Sequence, residues 1–262
     1  MQLSRLAAPL GAIVEDVDIT EMTTEQFTLV NDWFCEHKVL VFRTQTLTPE
    51  QHIAFAARWG RLVRHPYAGL EDYPDIIELR NVGKRRDINQ HWHSDMTYNE
   101  EPPKLTMLYA RSAPSIGGDT AFANQELAFE ALSSGLQQTL QSMRAEHTAA
   151  GLAQQYKEDA HEAPRAEHPV VRTHDETGRQ ALYVCRAFTH KFVGWSRAES
   201  KPLLEMLYAH CTRPEFQARH QWRKGDLVMW DNRSLQHFAV HDHADEEPRL
   251  IHRLQVSGPK PS

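Results

Sequence analysis

The chain has 262 residues, which is enough for one large domain or at most two small ones. Its 29 basic and 35 acidic residues give a formal net charge of −6, which argues against a general nucleic-acid binder because neutralising phosphates requires a basic face. A hydrophobic content of 40% supports a packed core and excludes an intrinsically disordered chain. The sixteen histidines make a metal site the first feature to look for.

The cysteines and the N-terminal region predict a soluble, cytoplasmic protein. Cys35, Cys185 and Cys211 form no CxxC pair, and such a scattered, odd-numbered set is typical of free thiols in a reducing compartment. The apolar run from Leu6 to Val14 is interrupted by Pro9 and has neither a basic leader nor a cleavage site. No stretch approaches the length of a membrane span, so we expect neither a membrane nor a nucleic acid as partner.

The first sixty residues predict two strand–helix units. Capping signals at Thr23 with Gln26, and at Thr48 with Pro49, predict the starts of two helices. The predicted strands beside these helices are Gly11–Ile19 and Lys38–Phe42. The order resembles the start of an α/β fold, but the pattern changes after this point.

From residue 75 onward, short strands separated by turns dominate the sequence. The predicted strands are Asp75–Asn81, Leu105–Arg111, Asp119–Ala123, Val170–Thr173, Gln180–Val184, Gln217–Trp222, Leu227–Asp231 and Arg249–Val256. Helical patterns cover Asn124–Glu146 and Arg197–Thr212, and the polar residues 148–168 predict a long loop over one barrel mouth. We therefore expect an α+β fold, a jelly-roll or double-stranded β-helix barrel with flanking helices, as a single domain over residues 1–262.

The segment richest in chemistry contains His93 and Asp95. On a strand, residues two apart project from the same face, so an imidazole and a carboxylate would lie side by side. Together they supply two ligands of the 2-His-1-carboxylate triad that holds Fe(II) and leaves positions open. The HxD pattern alone is weak, and a second histidine must come from a distant strand, where His237 is the candidate.

Two arginines near the C-terminus share one face of the last predicted strand. Arg249 and Arg253 have the same strand parity, so both would point into the barrel and would need anions there, because a buried unpaired guanidinium is costly. The alternative is that both lie on the surface and pair with Glu246 and Glu247.

Four motifs in this order resemble those of the TauD/TfdA family of Fe(II)- and 2-oxoglutarate-dependent dioxygenases. They are His93-Ser94-Asp95, Gly117-Gly118-Asp119-Thr120, Trp230-Asp231-Asn232-Arg233 with His237 four residues later, and Arg249 with His252-Arg253. The resemblance runs from about Leu10 to Gly258.

The resemblance implies the cofactors Fe(II), 2-oxoglutarate and O2. By position, His93, Asp95 and His237 would bind the iron, and Arg249 and Thr120 would hold the distal carboxylate of 2-oxoglutarate. The residues matching substrate contacts are His65, Asn89, Phe188 and Arg253. The implied reaction hydroxylates a small organic anion, favoured to be an alkyl- or aminoalkylsulfonate such as taurine, and releases sulfite and an aldehyde together with succinate and CO2. A homo-oligomer is also expected.

Several alternatives remain open at this point. The enzyme could oxidise aryloxyalkanoates, sulfate esters or another small carboxylate as a tailoring oxygenase. It could also be a zinc hydrolase or a metal-binding jelly roll without activity, although neither needs a clamp for a dicarboxylate. A cupin-type site built from His241, His243 and Glu246 lacks flanking glycines, and we expect this loop to be solvated. His252 has the wrong parity for the arginine face and is interpreted as a packed histidine, while His91 is either a support for His93 or exposed.

Overall fold

The computed structural model describes residues 1–64, 69–81, 91–155, 159–244, 246–247 and 249–262. The strands are β1 (Gln2–Arg5), β2 (Ala12–Glu15), β3 (Val39–Phe42), β4 (Ile77–Asn81), β5 (Pro103–Ser112), β6 (Thr120–Asn124), β7 (Arg144–Thr148), β8 (Arg165–Pro169), β9 (Val171–Thr173), β10 (Gln180–Leu182), β11 (Thr189–Phe192), β12 (Gln217–His220), β13 (Leu227–Asp231), β14 (Leu235–Ala239) and β15 (Arg249–Ser257). The helices are α1 (Thr24–His37), α2 (Pro49–Ala57), α3 (Gln125–Glu130), α4 (Ser134–Gln141), α5 (Ala150–Gln155) and α6 (Arg197–Cys211). Short 3₁₀ turns lie at Ile19–Glu21 and Pro214–Phe216.

The strands of the described residues form one large sheet and three small ones. The large sheet has the order β1-β2-β3-β13-β5-β15-β4, and a three-stranded sheet has the order β12-β6-β14. The remaining sheets are β11-β7-β8 and β10-β9. Strands and helices are thus mixed throughout, which confirms the predicted α+β class, and no described helix is long and apolar enough to cross a bilayer.

Alternation along the strands of the large sheet separates two cores. Val39 and Val41 on β3 pack in the cluster that includes Phe122 of the three-stranded sheet, whereas Leu40 and Phe42 pack with residues of α1 and α2. Successive side chains point to opposite faces of a strand, so one face packs on a second sheet and the other on helices. Ile251 of β15 belongs to the inter-sheet cluster, which identifies the inner face of that strand.

The local signals near the N-terminus are confirmed. Thr23 and Gln26 form a reciprocal capping box at the start of α1, and Thr48 forms one at the start of α2 with Pro49 in the first turn. The parallel pairing of β2 and β3 is the strand–helix–strand unit expected from the sequence. The predicted strand Gly11–Ile19 is shorter, because the chain leaves the sheet after Glu15.

Two predictions for the middle of the chain were wrong in part. The helical segment Asn124–Glu146 divides into α3 and α4, and its last residues begin β7. Residues 148–168 contain α5 and most of β8 rather than a single loop. In β8, only alternate residues are buried, so a short strand of polar composition was read as a loop.

Candidate active site

His93, Asp95 and His237 come together at strand β14, which forms one edge of the β12-β6-β14 sheet. His93 and His237 form a β-bridge in which each backbone N–H donates to the other carbonyl, at 3.1 and 2.8 Å. The Oδ1 atom of Asp95 lies 3.6 Å from His93 Nε2 and 3.7 Å from His237 Nε2. The three residues are buried, and one ligand atom from each lies within 4.8 Å of the others. In the described part of the chain, no other cluster of three or more histidine, cysteine, aspartate or glutamate side chains is arranged to hold a metal ion.

The prediction that His93 and Asp95 share a strand face was wrong in its local detail. His93 lies in an isolated bridge, and Asp95 begins a turn in which Met96 has a positive φ of 48°. The turn is held from below by two buried histidines. His168 Nε2 donates to the carbonyls of Thr97 and Asn99 at 2.8 and 3.0 Å, and His147 Nδ1 lies 2.9 Å from Thr97 Oγ1.

The carboxylate of Asp95 is oriented by a buried hydrogen-bond network. Thr106 Oγ1 on β5 donates to Asp95 Oδ2 at 2.6 Å, which leaves Oδ1 directed at the two imidazoles. The Thr106 hydroxyl accepts in turn from Asn232 Nδ2 at 2.8 Å and from Gln255 Nε2 at 3.1 Å. Asn232 Oδ1 accepts from the backbone N–H of Asp95 and from Trp230 Nε1. The network therefore fixes which oxygen of Asp95 is available as a ligand.

The two imidazoles are suited to binding a cation as neutral ligands. His93 Nδ1 donates to the backbone carbonyl of His91 at 2.7 Å, so the ring lone pair lies on Nε2, the nitrogen that faces Asp95 Oδ1. The His91 side chain itself is exposed, so its contribution comes from the backbone. Burial and the neighbouring His93 lower the pKa of His237 to about 3. Burial by itself would raise the pKa of Asp95, but His237 and His93 outweigh it and lower that pKa, so the carboxylate is ionised.

Arg249 and Thr120 lie close to each other, on either side of the Trp222 indole ring. Arg249 is buried, its Nε donates to the carbonyl of Gly118 at 3.0 Å, and its guanidinium lies 5.4 Å from the Trp222 ring centroid. The indole Nε1 of Trp222 donates to Thr120 Oγ1 at 3.0 Å. Burial lowers the pKa of Arg249 to about 10, yet the group remains cationic at neutral pH.

The alternative that these arginines are surface residues paired with glutamates is wrong for Arg249. Glu247 accepts from the backbone N–H and the hydroxyl of Ser115 instead, and Glu246 is exposed. Arg253 is half-buried, and its Nε atom is buried with no hydrogen-bond partner among the described residues. Its positive charge lowers the pKa of both Asp95 and His237, so Arg253 lies within electrostatic range of these two side chains.

Phe188 forms one wall of the site. Its ring meets the His93 imidazole edge-on with centroids 5.9 Å apart, and Tyr98 meets Phe188 in the same way at 5.1 Å. His65 and Asn89, the other two predicted substrate residues, lie outside the described residues.

The remaining histidine and cysteine interpretations had mixed outcomes. His252 is buried with its Nε2 3.7 Å from Glu78, consistent with a packed histidine, and the three cysteines are free. Asp242 in the loop at 241–243 is exposed, as predicted for a solvated loop, but it also makes specific contacts. Its carboxylate accepts from the backbone N–H of Gly118 at 2.8 Å and from Arg219 at 2.9 Å.

Sequence reasoning missed Thr106 and Trp222. Thr106 is fully buried between Leu105 and Met107, in the segment Leu105–Ala110 whose other residues are apolar or aromatic. A lone hydroxyl in such a strand requires a partner, which is the signal that could have identified it. Trp222 ends a predicted strand, and nothing in its sequence neighbourhood indicates that its indole joins Thr120 to Arg249.

Comparisons with known proteins agree over almost the whole chain. The family model for taurine catabolism dioxygenase TauD, TfdA family, matches residues 2–255. An alkylsulfatase of Acinetobacter baylyi is 34% identical over 98% of this chain and 85% of its own length. An alpha-ketoglutarate-dependent 2,4-dichlorophenoxyacetate dioxygenase of Cupriavidus pinatubonensis is 36% identical over 90% of this chain and 92% of its own. The crystal structure of a taurine dioxygenase from Burkholderia xenovorans, 33% identical, superposes with a TM-score of 0.87 and covers 99% of this chain and 92% of its own.

Proposed function

The chain belongs to the TauD/TfdA family of Fe(II)- and 2-oxoglutarate-dependent dioxygenases, and on that premise we propose that it hydroxylates a small organic anion, by preference an alkyl- or aminoalkylsulfonate. The observation that carries the proposal is the convergence of His93, Asp95 and His237, together with Arg253, whose buried Nε has no hydrogen-bond partner in the described part of the chain. The large sheet and the three-stranded sheet would be the two faces of the family's double-stranded β-helix.

The donor set fits Fe(II). Two neutral imidazoles and one carboxylate oxygen form the facial triad of non-haem iron oxygenases, which leaves positions for other ligands. Thr106 bonds to one oxygen of Asp95, and the His91 carbonyl bonds to one nitrogen of His93. Asp95 and His93 therefore each offer one remaining atom as a metal ligand. With iron and 2-oxoglutarate bound, the site supplies the chemistry that places one oxygen atom of O2 in a substrate C–H bond and the other in succinate.

Arg249 and Thr120 would hold the distal carboxylate of 2-oxoglutarate. The Nε of Arg249 is already used by Gly118, so its terminal nitrogens remain for the carboxylate. Thr120 Oγ1 accepts from Trp222 Nε1, so its own hydrogen is directed elsewhere and can be donated to an anion. The cation and the hydroxyl together make a site for a dicarboxylate rather than for a neutral ligand.

Charge balance supports an anionic primary substrate. Fe(II), the Asp95 carboxylate, the 2-oxoglutarate dianion and the Arg249 guanidinium together sum to zero. Arg253 adds one positive charge near them, with a buried Nε that has no hydrogen-bond partner among the described residues. A buried cationic nitrogen without a partner is costly, and a substrate anion would supply one and balance the charge. The three named relatives are consistent with this, because a sulfate ester, 2,4-dichlorophenoxyacetate and taurine each carry an acidic group.

For a sulfonate, the products follow from the chemistry of the attacked carbon. Hydroxylation next to the sulfonate gives an α-hydroxysulfonate, whose C–S bond breaks as the hydroxyl proton leaves. The carbon becomes an aldehyde and the electron pair of the C–S bond departs with sulfite, while 2-oxoglutarate becomes succinate and CO2. Phe188 would provide the apolar wall for the carbon chain.

The experiment is a substrate panel of taurine, longer alkylsulfonates, alkyl sulfate esters and aryloxyacetates. Succinate and sulfite are both measured after anaerobic loading with Fe(II) and 2-oxoglutarate and exposure to O2. We expect sulfite release from a sulfonate in the wild type and its loss in Arg253→Met. Arg80→Met, at an exposed arginine on β4, is the matched control and should behave as the wild type. Turnover confined to sulfate esters or aryloxyacetates would overturn the sulfonate preference, and unchanged activity in Arg253→Met would overturn the role of Arg253.

A further inference from the structure

The two loops at the Arg249 end of the barrel are bound to each other. One loop follows β5 and contains Gly117 and Gly118, and the other joins β14 to β15. Asp242 on the second loop accepts from the Gly118 N–H at 2.8 Å, and the backbone N–H of Val240 donates to the Asp119 carbonyl at 2.9 Å. Arg219 braces this contact, with Nη2 2.9 Å from Asp242 Oδ2 and Nε 2.5 Å from Asp119 Oδ2.

The same glycine that Asp242 holds also holds Arg249. Gly118 donates its N–H to Asp242 and accepts from Arg249 Nε through its carbonyl, at 3.0 Å. An unbroken chain of hydrogen bonds therefore runs from Arg219 through Asp242 and Gly118 to the guanidinium. The loop that carries Asp242 also joins the strand of His237 to the strand that begins with Arg249.

The two glycines in this chain of contacts have close neighbours. Gly117 and Gly118 both have positive φ, of 79° and 68°. A Cβ at Gly117 would lie 2.7 Å from Asp242 Oδ1, and one at Gly118 would lie 3.3 Å from both Arg249 Cδ and His243 Nδ1. A small displacement of the glycine turn would therefore move Arg249 itself.

From these contacts we propose that Asp242 is a positioning residue that sets the distance between Arg249 and the metal ligands and so selects the length of the 2-oxo dicarboxylate. The inference rests on the proposed role of Arg249. Asp242 acts through Gly118 and touches no substrate. A cosubstrate that chelates a metal at one end and meets Arg249 at the other must match a fixed span, and an error of about 1 Å at such a contact can cost a hundredfold in rate. A pocket typically distinguishes two ligands that differ by one methylene by about 10- to 200-fold in kcat/KM.

The test compares 2-oxoglutarate with 2-oxoadipate, which is one methylene longer, in the wild type and in Asp242→Ala. We expect the apparent KM for 2-oxoglutarate to rise about tenfold or more in Asp242→Ala, and the preference for 2-oxoglutarate over 2-oxoadipate in kcat/KM to fall about tenfold. The KM for the primary substrate and the affinity for Fe(II) should stay unchanged. Asp242→Asn retains an oxygen for the Gly118 N–H and should restore most of the preference.

Two further variants separate the possible failures. Arg219→Ala removes one bond to Asp242 but leaves the Asp242–Gly118 contact, so it should lower the preference for 2-oxoglutarate clearly less than Asp242→Ala does. Loss of activity toward both cosubstrates in equal proportion in Asp242→Ala would indicate a merely structural role and would overturn the inference. If Arg249→Ala bound 2-oxoglutarate as the wild type does, the proposed function of Arg249 would be wrong. A normal Asp242→Ala beside an impaired Arg249→Ala would overturn this inference alone.

Discussion

Replacing Thr106 by valine removes one hydroxyl while it keeps the shape of the side chain, and this hydroxyl is bonded to three partners. The bond to the ionised Asp95 carboxylate is 2.6 Å long, and a hydrogen bond to a charged group contributes about 1.5–3 kcal/mol. Asn232 and Gln255 each lose the acceptor for a buried N–H, at about 1–3 kcal/mol for each unsatisfied group. Relaxation recovers part of this, so we expect a loss of stability of about 3–5 kcal/mol.

The same change should weaken metal binding. With Thr106 present, Asp95 Oδ2 is occupied and Oδ1 faces the imidazoles. Without the hydroxyl, the carboxylate can rotate, and the loss of such an outer partner typically weakens metal affinity by about 10- to 100-fold. The assay is an anaerobic Fe(II) titration in the presence of 2-oxoglutarate, monitored by the visible charge-transfer absorption. Thermal unfolding of the metal-free protein is measured in parallel.

Thr106→Ser is the matched control, because it keeps the hydroxyl and removes only a methyl group, which is worth about 0.8 kcal/mol. We expect Thr106→Ser to bind Fe(II) nearly as tightly as the wild type. If Thr106→Val bound Fe(II) as tightly as Thr106→Ser, the idea that this network selects the ligand oxygen of Asp95 would be refuted.

Three further predictions concern the clamp, acid stability and the buried ion network. Arg249→Ala should raise the 2-oxoglutarate concentration required more than a hundredfold, because breaking a buried charge pair costs about 3–5 kcal/mol. Thr120→Val should weaken 2-oxoglutarate binding by only about 1 kcal/mol. Equal effects of the two changes in 2-oxoglutarate titrations would count against the assignment. Burial lowers the pKa of His52 to about 3, so the unfolded state binds the extra proton and stability falls as the pH drops below about 6.5, by up to about 1.4 kcal/mol per unit. His52→Leu should therefore reduce, by that amount, the fall in urea-derived stability between pH 6.5 and 4.5, and an unchanged pH dependence would contradict this. Asp231→Asn, which leaves the buried Arg233 without its bidentate partner at 2.7 and 2.8 Å, should cost about 3 kcal/mol in the same urea experiment, and an unchanged midpoint would contradict this.

The sequence predicted that His93, Asp95 and His237 would come together, but it did not predict the local structure that holds them. Periodicity identified the inner face of β15, because Ile251 lies in the inter-sheet core between Arg249 and Arg253. The strand of His237 was not among the predicted strands, since polar Gln236 and His237 interrupt its apolar pattern. Both side chains are nevertheless buried, and tertiary partners rather than hydrophobicity account for them.

The residues that orient the site were harder to find for a physical reason. Thr106, Trp222 and Asn232 act through hydrogen bonds to residues more than ten positions away along the chain. Such contacts leave no periodic signature, because either partner alone looks like an ordinary strand or turn residue. The helix caps at Thr23 and Thr48 were predictable because all of their partners lie within three residues.

Because Arg249 and Arg253 lie on one strand, β15 fixes the distance between them along the chain. Four residues of extended chain span roughly 13 Å, a length that the paired strands β4 and β5 on either side keep constant. If Arg253 holds the substrate anion and Arg249 holds the cosubstrate, the substrate carbon that is attacked is the one at a fixed distance from the anionic group. The length of the carbon chain beyond that position does not change which carbon is attacked. A homologous series of substrates should therefore be oxidised at the same carbon counted from the acid group, and regiochemistry should stay constant while the rate declines with chain length.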